Sequence, residues 1–283
     1  MKTSIAKLAV GLTLVSMSSV AMAGISTTKH NLGGTRTGNT HPNYTSSTTE
    51  ICVFCHTPHG ADSSAAVPLW NRTLGATSSY TTYSSLGTST LDSASTSVGS
   101  VSLACLSCHD GTQAMNVVIN SPGSGTTGDV NYDGDTSSYI STAASGTGDC
   151  AATDGTCGGF GEFNYMSQVA GEMIYLGTDL RNDHPISIQY AGATTGTAND
   201  PDFHAATSTT VASGTTVWYI ESGDGAGKSK HDLPLYNRVG GTLNGQPLVE
   251  CATCHDPHTE NTTFLRHNNG NNGSSTCLTC HDK

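Results

Sequence analysis

Apolar residues in this chain come in short runs, separated by glycine, serine, threonine and asparagine rather than arranged in long periodic stretches. The first run, "LAVGLTLV" from Leu8 to Val15, follows Lys2 and Lys7 and precedes the small residues "AMA". That order of charge, apolar stretch and small residues predicts a secretory signal peptide over residues 1–23, cleaved before Gly24. The run is far shorter than the ~20 apolar residues of a spanning helix, and no later segment is apolar enough to serve, so no membrane span is expected. Further on, "MNVVIN", "EMIYLG" and "TTVWYIES" read as isolated hairpin strands bounded by turn residues. The stretches 121–127 and 192–197 have no periodicity and read as loops. Helix signals are few: a capping-box pattern from Ser47 to Glu50, a stop at Gly111, and a start at Ser274 or Ser275.

Composition sharpens this picture. Hydrophobic residues make up 35% and aromatics 6% of the 283 residues, too few for a large side-chain core. A chain this polar drifts toward disorder unless something else supplies apolar mass. Charge excludes some partners. The net charge of −11 becomes −13 when Lys2 and Lys7 leave with the signal, a balance that opposes binding to nucleic acid or anionic membranes.

Cysteine supplies the missing mass. "CVFCH" (Cys52, Cys55, His56), "CLSCH" (Cys105, Cys108, His109), "CATCH" (Cys251, Cys254, His255) and "CLTCH" (Cys277, Cys280, His281) are four copies of a c-type haem attachment motif. Two thiols three apart reach the two vinyl groups of one porphyrin, and the next imidazole meets the iron from the same side. A zinc knuckle or a disulfide framework would explain one copy, but four copies behind a signal peptide point to four covalent haems. These large flat apolar bodies would form the core. The expected fold is therefore mostly irregular and haem-cored, with short helices at the motifs, a few short hairpin strands and long loops. The mature chain, 24–283, reads as a single tetrahaem domain with haem pairs near 52–109 and 251–281 and a loop-rich segment at 112–250. Cys150 and Cys157 lack a following histidine and are expected to form a small disulfide loop.

A haem iron with one protein ligand keeps a site for substrate, whereas a second ligand closes it and leaves electron transfer. Eight histidines lie outside the motifs, twice what four haems need. His59 and His258 each follow a proximal histidine by three residues, too few to wrap around the same porphyrin, so each must serve another haem. Pro58 and Pro257 stiffen that spacing. His30 and His184, the latter before Pro185, are the next distal candidates. His41, His204, His231 and His267 read as exposed, propionate-binding or structural. Asp129, Asn131, Asp133 and Asp135 match the early positions of a calcium loop, but Ile140 stands where the bidentate Glu belongs, which favours a simple polar turn.

The segments "EICVFCHTPHGA", "VPLWNR", "LACLSCHDGTQA", "RNDHPI", "VECATCHDPH", "FLRHNN" and "CLTCHDK", in this order, resemble the exported multihaem cytochromes of metal-respiring bacteria. They are most similar to the tetrahaem subunit of extracellular cytochrome filaments. That resemblance implies bis-histidine irons and head-to-tail polymers carrying electrons to insoluble acceptors such as iron(III) oxides. It also implies that His59 ligates haem 4 of the adjacent subunit. The expectation is thus an exported electron-transfer protein whose partners are itself, a redox donor and an insoluble acceptor. A monomeric exported shuttle, with His59 closing on its own chain, is the alternative. Only four lysines remain after processing, few for the lysine-rich docking patch of a shuttle. A multihaem reductase is the third reading, disfavoured because the surplus of histidines makes an open iron unnecessary.

Overall fold

The computed structural model describes residues 24–32, 49–87, 93–113, 118–120, 176–192, 200–223, 227–238, 241–267 and 271–282. Over these residues the chain is mostly irregular, with short helices and short antiparallel strands. The helices coincide with attachment motifs: α1 spans Ser100–His109, α2 Cys251–Cys254 and α3 Ser275–Cys280. The first motif is a single turn rather than a helix. Gly111, at φ 72°, follows α1 in the left-handed conformation that suits glycine. Ser274 stands at the N-cap of α3.

Among the described residues five strands form two small sheets. β1 (Ile188–Gln189) pairs antiparallel with β5 (Leu248–Val249). β2 (Thr207–Thr210), β3 (Thr216–Ile220) and β4 (Leu233–Leu235) form an antiparallel meander. β3 is the strand expected from "TTVWYIES", and it pairs as a hairpin with β2, Thr210 opposite Thr216. "MNVVIN" and "EMIYLG" lie largely outside the described residues. Among the described residues no helix is long and apolar enough to cross a membrane.

Two apolar clusters among the described residues adjoin attachment motifs. Ile188, Tyr190, Ala191, Ile220, Leu233, Leu235 and Val249 join the two sheets, with Phe203 and Cys280 packed against them. Val98, Leu103, Leu106 and Leu180 surround α1. Leu248 and Leu233 are fully buried. Truncating Leu248→Ala should cost about 2–5 kcal/mol, as for other buried leucines, read as a shift of the denaturant midpoint at unchanged haem content.

Candidate haem-attachment sites

Three of the four motifs are built as one repeated unit. In each, the proximal histidine N–H donates to the carbonyl of the first cysteine: His56 to Cys52 at 2.8 Å, His255 to Cys251 at 3.1 Å and His281 to Cys277 at 2.9 Å. This single helical turn places residues i and i+3, the two cysteines, on one face. A second segment then crosses the turn. The carbonyl of the second cysteine accepts from Asn71, Arg266 or His204, each at 2.9 Å. The residue after the proximal histidine donates back: Thr57 to Leu69 at 2.8 Å, Asp256 to Phe264 at 2.7 Å and Asp282 to Asp202 at 2.8 Å. The proximal histidines thereby bridge Trp70, Leu265 and Phe203.

The crossing segment also fixes which ring nitrogen is available. His56 Nδ1 lies 2.8 Å from the Pro68 carbonyl, and His255 Nδ1 lies 2.9 Å from that of Thr263. A carbonyl only accepts, so Nδ1 carries the proton and Nε2 keeps its lone pair for a metal. The motif on α1 is held differently. Leu176 N–H donates to the His109 carbonyl at 2.8 Å, and the capping Asp110 accepts from the Tyr80 hydroxyl at 2.5 Å.

The motif sulfurs converge. Cys105 and Cys251 share a side-chain hydrogen bond. Burial, and then the neighbouring Cys108 thiol, pushes the Cys55 thiol up to about 12. Burial followed by Cys277 pushes Cys254 up to about 11, and burial followed by Cys254 pushes Cys280 up to about 12. Each motif thus neighbours the next through its cysteines. Burial opposes the thiolate at Cys55, Cys254 and Cys280, whereas hydrogen bonds from Cys105 and Ser102 bring Cys251 down. Among the described residues no cluster of three or more His, Cys, Asp or Glu could hold a metal ion by side chains alone.

Two pairs of histidine rings face one another. His56 and His258 have ring centres 6.1 Å apart with planes 17° from parallel, and His30 and His109 stand 6.2 Å apart at 87°. An imidazole nitrogen binds a metal at about 2 Å with its ring centre ~1.1 Å behind, so two rings across one ion sit about 6.3 Å apart. Both spacings fit one iron between two rings. The Asp256 carboxylate holds His258 Nδ1 at 3.0 Å, so Nδ1 carries the proton and Nε2 keeps its lone pair.

The remaining sequence candidates fare differently. His59 and His184 are exposed, and among the described residues neither ring touches another aromatic ring. His204 contributes its backbone to the motif-4 crossing segment. His267 has a buried Nδ1 without a hydrogen-bond partner. His41, Cys150, Cys157, Asp129, Asn131, Asp133 and Asp135 lie outside the described residues.

Sequence reasoning missed the crossing segments, although a signal existed. "PLWN" (68–71), "PDFH" (201–204) and "TFLR" (263–266) each carry a large apolar residue third, next to the donor that meets the cysteine carbonyl. It also missed two buried charges. Arg72 is fully buried, lies beside Cys55, and donates to the Ser107 carbonyl at 2.7 Å. Glu250 is 2% exposed and pairs with Arg238 at 2.7 Å.

Three tyrosines brace the motifs. Besides Tyr80, Tyr190 donates to the His204 carbonyl at 2.8 Å, and Tyr236 donates to that of Ala252 at 3.3 Å. Burial raises all three phenols above their ordinary value, aided for Tyr80 by Asp110 and for Tyr190 by Cys280. Their contribution is complete below the unfolded value of about 10 and is lost as pH rises toward the folded values, because the unfolded chain ionises first. Circular dichroism should show destabilisation setting in above pH ~10, and Tyr190→Phe should flatten that dependence.

A family profile described as the doubled CXXCH motif matches residues 246–283, the turns of His255 and His281. No curated protein matches the chain. The doubled motif, on turns of this geometry, points to a c-type multihaem cytochrome, a protein that binds haem covalently and transfers electrons.

Proposed function

We propose that the chain carries four haem c groups, each iron held between two imidazoles, and that it conducts electrons within a head-to-tail filament of its own copies outside the cell. The observation that carries the two-imidazole irons is the pair of histidine couples, His56–His258 and His30–His109, at 6.1 and 6.2 Å, and the filament follows from the resemblance of the motif segments and from His59 being exposed. Haem c supplies one-electron exchange at its iron when bound. The chain supplies everything else. Cys52, Cys55, Cys105, Cys108, Cys251, Cys254, Cys277 and Cys280 form the thioethers, while His56, His109, His255 and His281 are proximal ligands. His258 serves the first iron and His30 the second. His184 is assigned to the third iron within the chain, and His59, from a neighbouring copy, to the fourth.

With all irons closed there is no substrate position, so the protein is read as an electron carrier and not an enzyme. Export is supported by the surroundings of Gly24. Its N–H donates to the His258 carbonyl at 3.2 Å, and its Cα presses on Glu260, whose Cγ stands 2.7 Å from where a Cβ would be. Cleavage before Gly24 would set the new α-ammonium beside a carbonyl and a carboxylate. Residues 24–283 are read as one domain, because His258 and Cys251 tie the C-terminal motifs to His56 and Cys105 near the other end.

Mass spectrometry of the exported protein should show the leader lost and four haems added. Electron paramagnetic resonance of the oxidised protein should show only low-spin iron in at least two classes, one with near-parallel and one with near-perpendicular imidazole planes. A high-spin ferric signal would instead mean an open iron and favour the reductase.

A further inference from the structure

The crossing segments share one plan, and that of His255 departs from it at an aromatic ring. At the first and fourth motifs the residue that bridges the proximal histidine is aromatic and lies against it. Trp70 stands 6.0 Å from the ring of His56 at 85°, and Phe203 stands 4.4 Å from that of His281 at 45°. At the third motif the bridging residue is Leu265, and the aromatic is Phe264, one position earlier. Its ring lies 4.2 Å from that of His30, with planes 37° apart. His30 faces His109, so this segment reaches past its own histidine to the distal one of the second iron.

Putting the ring there strains the backbone. Thr263 and Phe264 are both left-handed, at φ 53° and 59°, a region that disfavours β-branched and bulky residues. Hydrogen bonds on both sides hold the strain in place. The Phe264 N–H donates to the Asn261 carbonyl at 2.9 Å, the Phe264 carbonyl accepts from the Asp256 N–H at 2.7 Å, and the Asn261 amide donates to the Leu265 carbonyl at 2.8 Å. Strain fixed by its surroundings in this way marks a place where the direction of a side chain matters. The segment carrying His30 is tied to the same loop at its start: the Gly24 N–H donates to the His258 carbonyl at 3.2 Å, and the Thr27 hydroxyl donates to the Glu260 carboxylate. With that end anchored and the two rings in contact, rotating the imidazole would drive it into the phenyl ring.

We infer that Phe264 is a positioning residue for His30 and holds its imidazole across that of His109, at 87°, which fixes the electronic ground state of the second haem iron. This rests on the reading of His30 and His109 as the two ligands of one iron, and adds what sets the angle between them. Each imidazole plane orients an iron d orbital, so crossed planes leave two of these orbitals nearly equal in energy and parallel planes split them. Contacts that orient a ligand from outside tune the metal by this route.

The test is electron paramagnetic resonance of the oxidised holoprotein carrying Phe264→Gly, with Phe264→Tyr as the conservative partner and Phe264→Ala should the glycine variant fail to take up haem. Glycine accepts the left-handed backbone without strain, so the substitution removes the ring and spares the turn. The crossed-plane signal should be lost from Phe264→Gly, replaced by a rhombic or a high-spin signal, and should persist in Phe264→Tyr. The near-parallel signal of His56 and His258 should be unchanged in both. A crossed-plane signal of wild-type intensity in Phe264→Gly, whatever its melting temperature, would overturn the inference and leave the ligand pair standing. Wild-type protein without a crossed-plane signal would defeat the pair itself.

Discussion

Replacing His59 with alanine should abolish filaments while leaving a soluble subunit with its haem content intact. The side chain is exposed and its ring makes no aromatic contact among the described residues, so its removal takes nothing from the fold of its own chain. In the proposed assembly it is the sixth ligand of a neighbour's iron, and losing it opens that iron at every junction. Electron microscopy of material sheared from cells reads the first effect. A new high-spin ferric signal in the variant reads the second. Discrete wild-type particles with uniformly low-spin iron would mean that His59 closes on its own chain and that the protein is a shuttle.

Removing the Glu250 carboxylate should produce the largest loss of stability among single polar substitutions. The side chain is 2% exposed and accepts from Arg238 at 2.7 Å, from Ser102 at 2.5 Å and from Ser187 at 3.0 Å. Ser102 lies on α1 and its Oγ also accepts from the Cys251 N–H at 3.1 Å, so this clamp joins the helices of motifs 2 and 3. It is what brings Cys105 beside Cys251. Gly99 marks how tightly it closes: a Cβ there would stand 2.3 Å from Glu250 Oε1, although the φ of −77° at Gly99 would suit any residue. Truncating one member of a buried ion pair leaves the other uncompensated, at a cost of about 3–5 kcal/mol. Because Arg238 keeps 21% exposure, Glu250→Ala should fall near the lower end, about 3 kcal/mol, in denaturant unfolding. Gly99→Ala should destabilise in the same direction through the clash alone.

Local chemistry was legible in the sequence because it is written in contiguous residues. Attachment to one porphyrin demands two thiols three apart and an adjacent imidazole, so the string itself names the turn. Short helices at three motifs, the stop at Gly111 and the β2–β3 hairpin follow from similarly local rules, whereas Ser274 precedes α3 left-handed at φ 61° and without a capping hydrogen bond. The expected helix at the first motif is only a turn. The crossing segment is shared with the helical motifs of His255 and His281, but α2 is capped by Glu250 with Thr253, whereas Ile51 precedes Cys52 and has no side-chain acceptor to cap a helix.

The sequence alone therefore determined where the four attachment motifs stand, that rings and sulfurs abound while side-chain core is scarce, and that His258 lies too close to His255 to share its porphyrin. Only the tertiary structure decided that His258 meets His56 while His30 meets His109, that Cys105 touches Cys251, and that a buried Glu250–Arg238 pair holds that junction. These partners lie many residues apart in the chain. Spacing rules speak for a few residues at a time, whereas burial of charge and the meeting of two rings depend on how distant segments cross.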